Sequence, residues 1–238
     1  MSQCLCGEEM IIDKDKRFIF VHNPRTGGTS IRSVLQQYQD DEMYTDLCAR
    51  VENTMFKDVE YSHTDHASMD IFPIEVIKHY KYSFTCVRNP FARTYSYYCR
   101  IRQGIEKLRN AHPDELDPSS EEWLNLNPPA SWAQFIGAMW IAYIDEKQEG
   151  RFSALCTYPY DFWTASVNRI WRFEDLDDPA QWARLMDSCG IKDPPARPHE
   201  NRSYRENLFE YRKVYTDDQR LKIQKIFEPE IEKYGYEF

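Results

Sequence analysis

The 238-residue sequence lacks several features that would assign it to a common class of protein. It has no GxxxxGKS/T motif, the phosphate-binding loop of many kinases and NTPases. Its seven cysteines form no CxxC pair, so we expect no structural zinc site and predict reduced thiols. Lysine and arginine total 30 against 39 acidic residues, so no general basic field attracts nucleic acid or an anionic membrane. Any anionic ligand must therefore be held by a local arrangement of residues.

Glycine is also scarce, with 8 residues against 13 prolines, and no block rich in either residue resembles a linker. No internal repeat is present, so we predict a single domain over residues 1–238. The longest mostly apolar segment, residues 132–144, is too short to cross a bilayer and predicts a buried helix. The first 17 residues lack the apolar region of a signal peptide. We expect a cytoplasmic protein without membrane insertion, although a chain trimmed of an anchor would show the same pattern.

Strand and helix patterns alternate along the chain. Residues 17–22 and 82–87 predict strands, each followed by a helix pattern, at 29–38 and 91–102 respectively, and residues 166–173 predict a further strand. Strands that alternate with helices indicate an α/β fold with a central parallel sheet flanked by helices on both faces.

A capping box marks the start of the last helix. Thr216 stands three residues before Gln219, and the apolar pattern that follows runs to about Lys233. Before it, residues 190–204 contain three prolines and predict a long loop.

The turn after the first strand, VHNPRTGGTS, has the composition of an anion-binding loop. Gly27 and Gly28 permit a positive φ angle and close approach of the backbone, and the N–H groups of the following helix start attract negative charge. Thr29 and Ser30 add hydroxyl groups, and Arg25 adds a cation. The turn therefore predicts a phosphate site. The alternative is an ordinary strand–helix turn whose glycines only relieve strain.

A second strand ends in a similar way, with RNPFARTYSYY after residue 87. Arg88 follows the strand directly and Ser96 lies on the helix after it, so both side chains could meet one phosphate at the carboxyl edge of the sheet. Two phosphate sites on neighbouring strands indicate a nucleotide that is phosphorylated at two separate places.

Together, PRTGGTS and RNPFARTYSYY resemble the two nucleotide-binding motifs of sulfotransferases that use 3′-phosphoadenosine 5′-phosphosulfate (PAPS). The resemblance is closest to the carbohydrate-type branch, which includes uronyl 2-O-sulfotransferases and small bacterial relatives. HTDHASMDIF (63–72), WRFEDL (171–176) and the C-terminal HENRSYRENLFEYRKVYTDDQ follow in that branch's order. The resemblance implies a P-loop-NTPase-like sulfotransferase architecture, PAPS as donor, 3′-phosphoadenosine 5′-phosphate (PAP) as product and no required metal.

The resemblance also implies roles for individual residues. The loop that would cradle the 5′-phosphosulfate consists of Arg25, Thr26, Gly27, Gly28, Thr29 and Ser30. The 3′-phosphate would be bound by Arg88 and Ser96. The residues that would close over the nucleotide are Asn201, Arg202 and Ser203. The family usually has lysine where this chain has Arg25, and a planar guanidinium is not equivalent to a compact ammonium. Three interpretations stay open: guanidinium replaces lysine, the donor sits differently, or transfer is slow.

In-line sulfuryl transfer needs a base for the acceptor's proton and positive groups for the departing phosphate. Histidine titrates in the right range for the base. By resemblance His66 matches the family's base position, and His63, three residues earlier, could take the role or assist. The alternative for each is a solvated loop histidine.

The acceptor leaves a weaker trace in the sequence. Arg102 belongs to a basic group after the second phosphate motif, which could contact an acidic sugar or simply form a solvated helix face. The acidic chain favours a carbohydrate, a glycolipid or a small natural product over a long polyanion, and protein tyrosine stays open. The oligomeric state cannot be derived from the sequence.

Two other classes of function compete with the sulfotransferase interpretation. A P-loop kinase or NTPase would need a Walker lysine and a magnesium-binding acid at a strand end. A non-catalytic nucleotide-binding protein of the same fold would be compatible with the departure at Arg25.

Overall fold

Four short segments pair into one sheet in the computed structural model, which describes residues 10–45, 77–111, 131–144, 160–198 and 210–238. The strands, in chain order and in sheet order, are β1 (Ile11–Ile12), β2 (Phe18–Val21), β3 (Tyr82–Val87) and β4 (Arg169–Arg172). Strands β2, β3 and β4 are parallel, whereas β1 is antiparallel to β2. The sheet is therefore mixed. The predicted parallel arrangement is confirmed for three strands, and β1 is an addition that the sequence analysis missed.

The helices follow the predicted order. They are α1 (Gly28–Leu35), α2 (Pro90–Ala111), α3 (Trp132–Ile144), α4 (Asp161–Thr164), α5 (Pro179–Ser188), α6 (Asp217–Ile226) and α7 (Glu228–Tyr234). Single 3-10 segments cover Gln36–Tyr38, Phe173–Asp177 and Glu210–Lys213. The helix predicted over 29–38 thus ends in a 3-10 turn, and the one predicted over 91–102 runs longer.

The segment predicted as one last helix forms two helices in the structure, α6 and α7. The capping box is present, with Gln219 N–H donating to Thr216 Oγ1 at 3.3 Å and the Gln219 side chain accepting from Thr216 N–H at 3.0 Å. Helix α6 ends before Phe227, and α7 begins with Pro229 in its first turn. Proline has no N–H group and its ring collides with the preceding turn, so it interrupts the helix and restarts it.

The described residues group into two compact units. The first contains the sheet with α1, α4 and α5, and the second contains α2, α3, α6 and α7. The expectation of a single domain over residues 1–238 stays a prediction.

In the first unit, one face of the sheet packs against two helices. The apolar cluster includes Phe20 from β2, Phe84 from β3, Leu35 from α1 and Leu185 from α5. Residues of the opposite face, such as Val21, are fully buried as well. Both faces of the sheet are covered, as the apolar runs of buried parallel strands require.

The second unit has its own aromatic core, in which Phe91, Phe135 and Phe227 are buried. A polar contact ties two of its helices together, because Trp132 Nε1 donates to Gln219 Oε1 at 3.0 Å.

The carboxyl ends of β2, β3 and β4 lie at one edge of the sheet because these strands are parallel and in register. Val21 pairs with Thr85, and Val87 pairs with Arg172. The segments that leave this edge are residues 22–27, Arg88 and Phe173. In α/β sheets this edge is where ligands bind.

Candidate functional site

The loop between β2 and α1 is fixed to the neighbouring strand by side chains of its own. Asn23 Nδ2 donates to the Cys86 carbonyl oxygen at 3.0 Å, and Thr26 Oγ1 donates to the Asn23 carbonyl oxygen at 2.7 Å. Both loop side chains are fully buried. Hydrogen bonds inside a buried region hold a single backbone conformation. The hydroxyl of Thr26 therefore shapes the loop from within, and its role toward a donor stays a prediction.

Helix α1 starts without an acidic or capping side chain. Gly27 is the N-cap residue, in the left-handed conformation with φ of 80°, and no side chain of the described chain caps the helix start. The first turn contains no acidic residue. Ser30 N–H donates to the Gly27 carbonyl oxygen at 3.2 Å, which closes the first turn of the helix. Such a helix start attracts an anion through its N–H groups and its dipole.

Both glycines are required by close neighbours. A Cβ atom on Gly27 would lie 2.1 Å from Phe173 Cε2, and a Cβ atom on Gly28 would lie 1.9 Å from His22 Cδ2. These distances are far below van der Waals contact. The loop backbone is therefore packed directly against the end of β4 and against the residue that follows β2.

His22 contributes to the loop by packing and not as a charged group. Its ring is buried and stacks on Phe20, with 5.9 Å between ring centroids. Burial, and to a smaller extent the nearby cations Arg25 and Arg32, lower the pKa of His22 to about 3. The imidazole is consequently neutral at neutral pH and is a weak base.

Two arginines lie together at the loop. Arg25 has a positive φ of 63°, which is unusual for a residue other than glycine. Arg88 Nη1 donates to the Arg25 carbonyl oxygen at 3.3 Å, and its guanidinium carbon lies 4.8 Å from the centroid of the Phe173 ring. The hydroxyl of Tyr160 in turn donates to the Arg88 carbonyl oxygen. Arg88 thus joins the end of β3 to the glycine loop.

A third arginine, Arg197, was missed by the sequence analysis. Its guanidinium carbon lies 4.6 Å from the Phe173 ring centroid, and its Nη1 donates to Asp177 Oδ1 at 2.7 Å. The Nη2 atom lies 3.3 Å from the position that a Gly27 Cβ atom would take. The residue stands in the proline-rich loop, where no local pattern marks it as part of a site.

The other predicted site residues divide into described and undescribed ones. Thr29 is half-buried and Ser30 is buried in the first turn of α1. Ser96 is buried on α2 of the second unit, and its pairing with Arg88 stays a prediction. Arg102 is exposed on the same helix, and its guanidinium carbon lies 6.0 Å from the Tyr98 ring centroid. The predicted residues that lie outside the described ranges are His63, His66, Asn201, Arg202 and Ser203.

Within the described ranges, no helix has both the length and the apolar character needed to cross a bilayer. The same residues contain no group of three or more histidine, cysteine, aspartate or glutamate side chains arranged to hold a metal ion.

Comparison with known proteins agrees with the chemistry of the loop. No curated protein and no solved structure matches the chain significantly. A sequence model of the sulfotransferase family, by contrast, matches residues 8–237, which is nearly the whole chain. A match of this extent shows that the chain belongs to the sulfotransferase family, and the α/β sheet is consistent with it.

Proposed function

We propose that this chain transfers a sulfuryl group from PAPS to a hydroxyl group of a carbohydrate or small molecule, with the loop from Arg25 to Ser30 holding the 5′-phosphosulfate. The observation that carries the proposal is the start of α1, whose first turn has no acidic side chain and no capping side chain from the described residues, with Arg88 bonded to the loop before it and Arg197 beside Gly27. Family membership supplies the reaction class. The loop supplies the reason to assign the donor's anionic end to this point of the fold.

The residues present fit such a donor. Gly27 and Gly28 let the loop backbone pack directly against Phe173 and His22, and Arg25 adds a cation that remains charged at any physiological pH. PAPS would supply the sulfuryl group, which is bonded to an oxygen of its 5′-phosphate. The rest of the donor would leave as PAP. The N–H groups of α1 and the guanidinium of Arg25 would stabilise the charge that develops on that oxygen.

The 3′-phosphate is assigned to Arg88 and Ser96, and closure over the nucleotide to Asn201, Arg202 and Ser203. Support for Arg88 comes from its position at the carboxyl end of β3, where its guanidinium is already held by the Arg25 carbonyl oxygen and by Phe173. The support for the other four residues is the resemblance of their segments to the family's motifs.

For the base we propose His66, with His63 as its alternative or assistant. In the transfer step a bond forms between the acceptor oxygen and sulfur, the bond from sulfur to the 5′-phosphate oxygen breaks, and the acceptor's proton passes to the imidazole. His22 is not a candidate for this role, because it is buried and burial lowers its pKa to about 3. The proposal needs no metal ion.

The acceptor class is tested by incubating the purified chain with PAPS that carries labelled sulfate and with a panel of acceptors. The panel contains neutral sugars, uronic-acid disaccharides, simple phenols and a tyrosine peptide. We expect label on a sugar or small-molecule hydroxyl together with stoichiometric PAP. Label on the tyrosine peptide alone would overturn the acceptor class. A failure to release PAP with any acceptor, from a chain that binds PAP, would support a non-catalytic nucleotide-binding protein.

A further inference from the structure

Arg197 lies beside the glycine loop, although 170 positions separate it from Gly27 in the chain. Its Nη2 atom lies 3.3 Å from the point where a Gly27 Cβ atom would stand. Gly27 is the N-cap residue of α1, so this guanidinium lies beside the N-terminal end of that helix. A cation in this position adds to the positive end of the helix rather than neutralising it.

Two hydrogen bonds hold the guanidinium of Arg197, and both involve the same nitrogen, Nη1. Arg197 Nη1 donates to Asp177 Oδ1 at 2.7 Å and to the Phe173 carbonyl oxygen at 3.5 Å, which is a weak bond. The side chain is only 6% exposed. Among the described residues, Nε is buried without a hydrogen-bond partner, and the hydrogen bonds of the guanidinium run through Nη1.

Such an arrangement is costly unless a further anion is bound. A guanidinium has five N–H donors in a fixed plane, and burying unpaired donors of a charged group is unfavourable. Burial lowers the pKa of Arg197, while Asp177 raises it. Among the described residues one carboxylate engages Nη1, and the Nη2 edge nearest to Gly27 could bond to an oxyanion.

We propose that Arg197 is a further donor-binding residue, whose Nη2 edge contacts the 5′-phosphosulfate group beside Gly27 while Asp177 and Phe173 hold the guanidinium in place. This inference rests on the proposed function. It gives the 5′ end of the donor a second guanidinium besides that of Arg25, in a chain where the usual lysine is absent. A planar fork bonded to Asp177 through Nη1 can still bond to a phosphate or sulfate oxygen through Nη2.

The alternative is that Arg197 only supports the loop by packing on Phe173. The two roles differ in which nucleotides they affect. A contact with the 5′ group matters for PAP, which has a 5′-phosphate, and not for adenosine 3′-monophosphate, which lacks one. A purely structural role would weaken the binding of both nucleotides together.

Calorimetric titration of the wild type, Arg197→Gln and Arg184→Gln with both nucleotides tests the inference. Arg184 is the matched control because it is exposed on α5, where its Nη1 donates to Gln181 Oε1 at 3.4 Å. We expect Arg197→Gln to raise the Kd for PAP by about 10-fold to 100-fold, the usual effect of a hydrogen bond to a charged group. Its Kd for adenosine 3′-monophosphate should equal that of the wild type, and Arg184→Gln should change neither value.

Equal losses for both nucleotides, or no loss for PAP, would overturn the inference. If Arg197→Gln does not fold, as judged by circular dichroism, Arg197→Lys replaces it. This variant keeps the charge without the fork and should show a smaller loss confined to PAP, whereas an unchanged Kd for PAP would contradict the inference. A wild type that does not bind PAP at all would instead refute the proposed function, so the two failures are distinguishable.

Discussion

The edge of the Phe173 ring occupies the space in which a side chain on Gly27 would lie. A Cβ atom there would come within 2.1 Å of Phe173 Cε2, and the residue also has a φ of 80°. Gly27 belongs to the β2–α1 loop and Phe173 follows β4, so this contact joins the first and last parallel strands at the proposed donor site. Two separate physical demands therefore fix glycine at this position.

Three glycine-to-alanine variants separate these two demands. Gly137→Ala should be neutral or slightly stabilising, because the residue is inside a helix and a Cβ atom on it would have no described atom within 4 Å apart from its own helix backbone and chain neighbours. Gly235→Ala should cost about 1–2 kcal/mol from its positive φ alone, since space around it is open. Gly27→Ala combines a positive φ with a clash and should cost more than Gly235→Ala. Urea denaturation measures all three, and equal losses for Gly27→Ala and Gly235→Ala would contradict the packing.

Acid should destabilise the fold partly through His22. The pKa of His22 is about 3 in the folded chain and 6.5 ordinarily. Between these two pH values the imidazole is protonated in the unfolded chain and neutral in the folded chain. The stabilisation is complete above pH 6.5 and is lost as the pH falls toward 3, with a slope of at most about 1.4 kcal/mol per pH unit. His22→Gln should therefore show a smaller difference in free energy of unfolding between pH 7.5 and pH 4.5 than the wild type.

The control for this measurement is His79→Gln, because His79 is exposed at the start of the segment before β3. Both variants keep the carboxylates that also contribute to acid unfolding. If His79→Gln reduced the pH dependence and His22→Gln did not, the buried neutral state assigned to His22 would be wrong.

Arg25 should carry the charge that lysine supplies in relatives. We expect Arg25→Gln to lower kcat by about 10²-fold to 10³-fold, the usual effect of removing one group that stabilises transition-state charge. Arg25→Lys should retain activity within about tenfold, since the charge remains while the geometry changes. Steady-state kinetics with PAPS measures both variants. Equal activity of Arg25→Gln and wild type would exclude a role for this cation in transfer.

The choice between the two candidate histidines is made by comparing His66→Ala with His63→Ala. We expect His66→Ala to abolish transfer while PAP binding, measured by calorimetry, stays close to that of the wild type. His63→Ala should have a smaller effect on kcat. The reverse order would assign the base to His63, and unchanged turnover in His66→Ala would remove this residue from the mechanism.

Local patterns were sufficient for much of the fold. The run YSFTCV predicted β3 residue by residue because its aromatic and β-branched side chains are bounded by polar residues, and WAQFIGAMWIAYI predicted α3 in the same way. The capping box at Thr216 fixed the start of α6. Strand β1 was missed because two residues are too short for a period, and only pairing with β2 defines it. The break at Phe227 was missed although Pro229 signals it.

In the candidate site, too, residues marked by local sequence were predicted and a residue placed by tertiary packing was not. The glycine loop and Arg88 were predicted because each follows a strand directly, which is a relation within a few residues of sequence. Arg197 was not, because its place beside Gly27 depends on tertiary packing through Phe173 and Asp177. Its own loop contains only prolines as a signal, and prolines predict a turn rather than a ligand contact.

The most direct test of the account is a calorimetric titration of the wild-type chain with PAP, beside a titration with ATP and magnesium. The account predicts tight binding of PAP and weak binding of ATP, because the loop at Gly27 and the site assigned to Arg88 would receive phosphates at opposite ends of one nucleoside. A preference for ATP with magnesium would contradict it and would favour a kinase-like phosphotransferase on the same sheet.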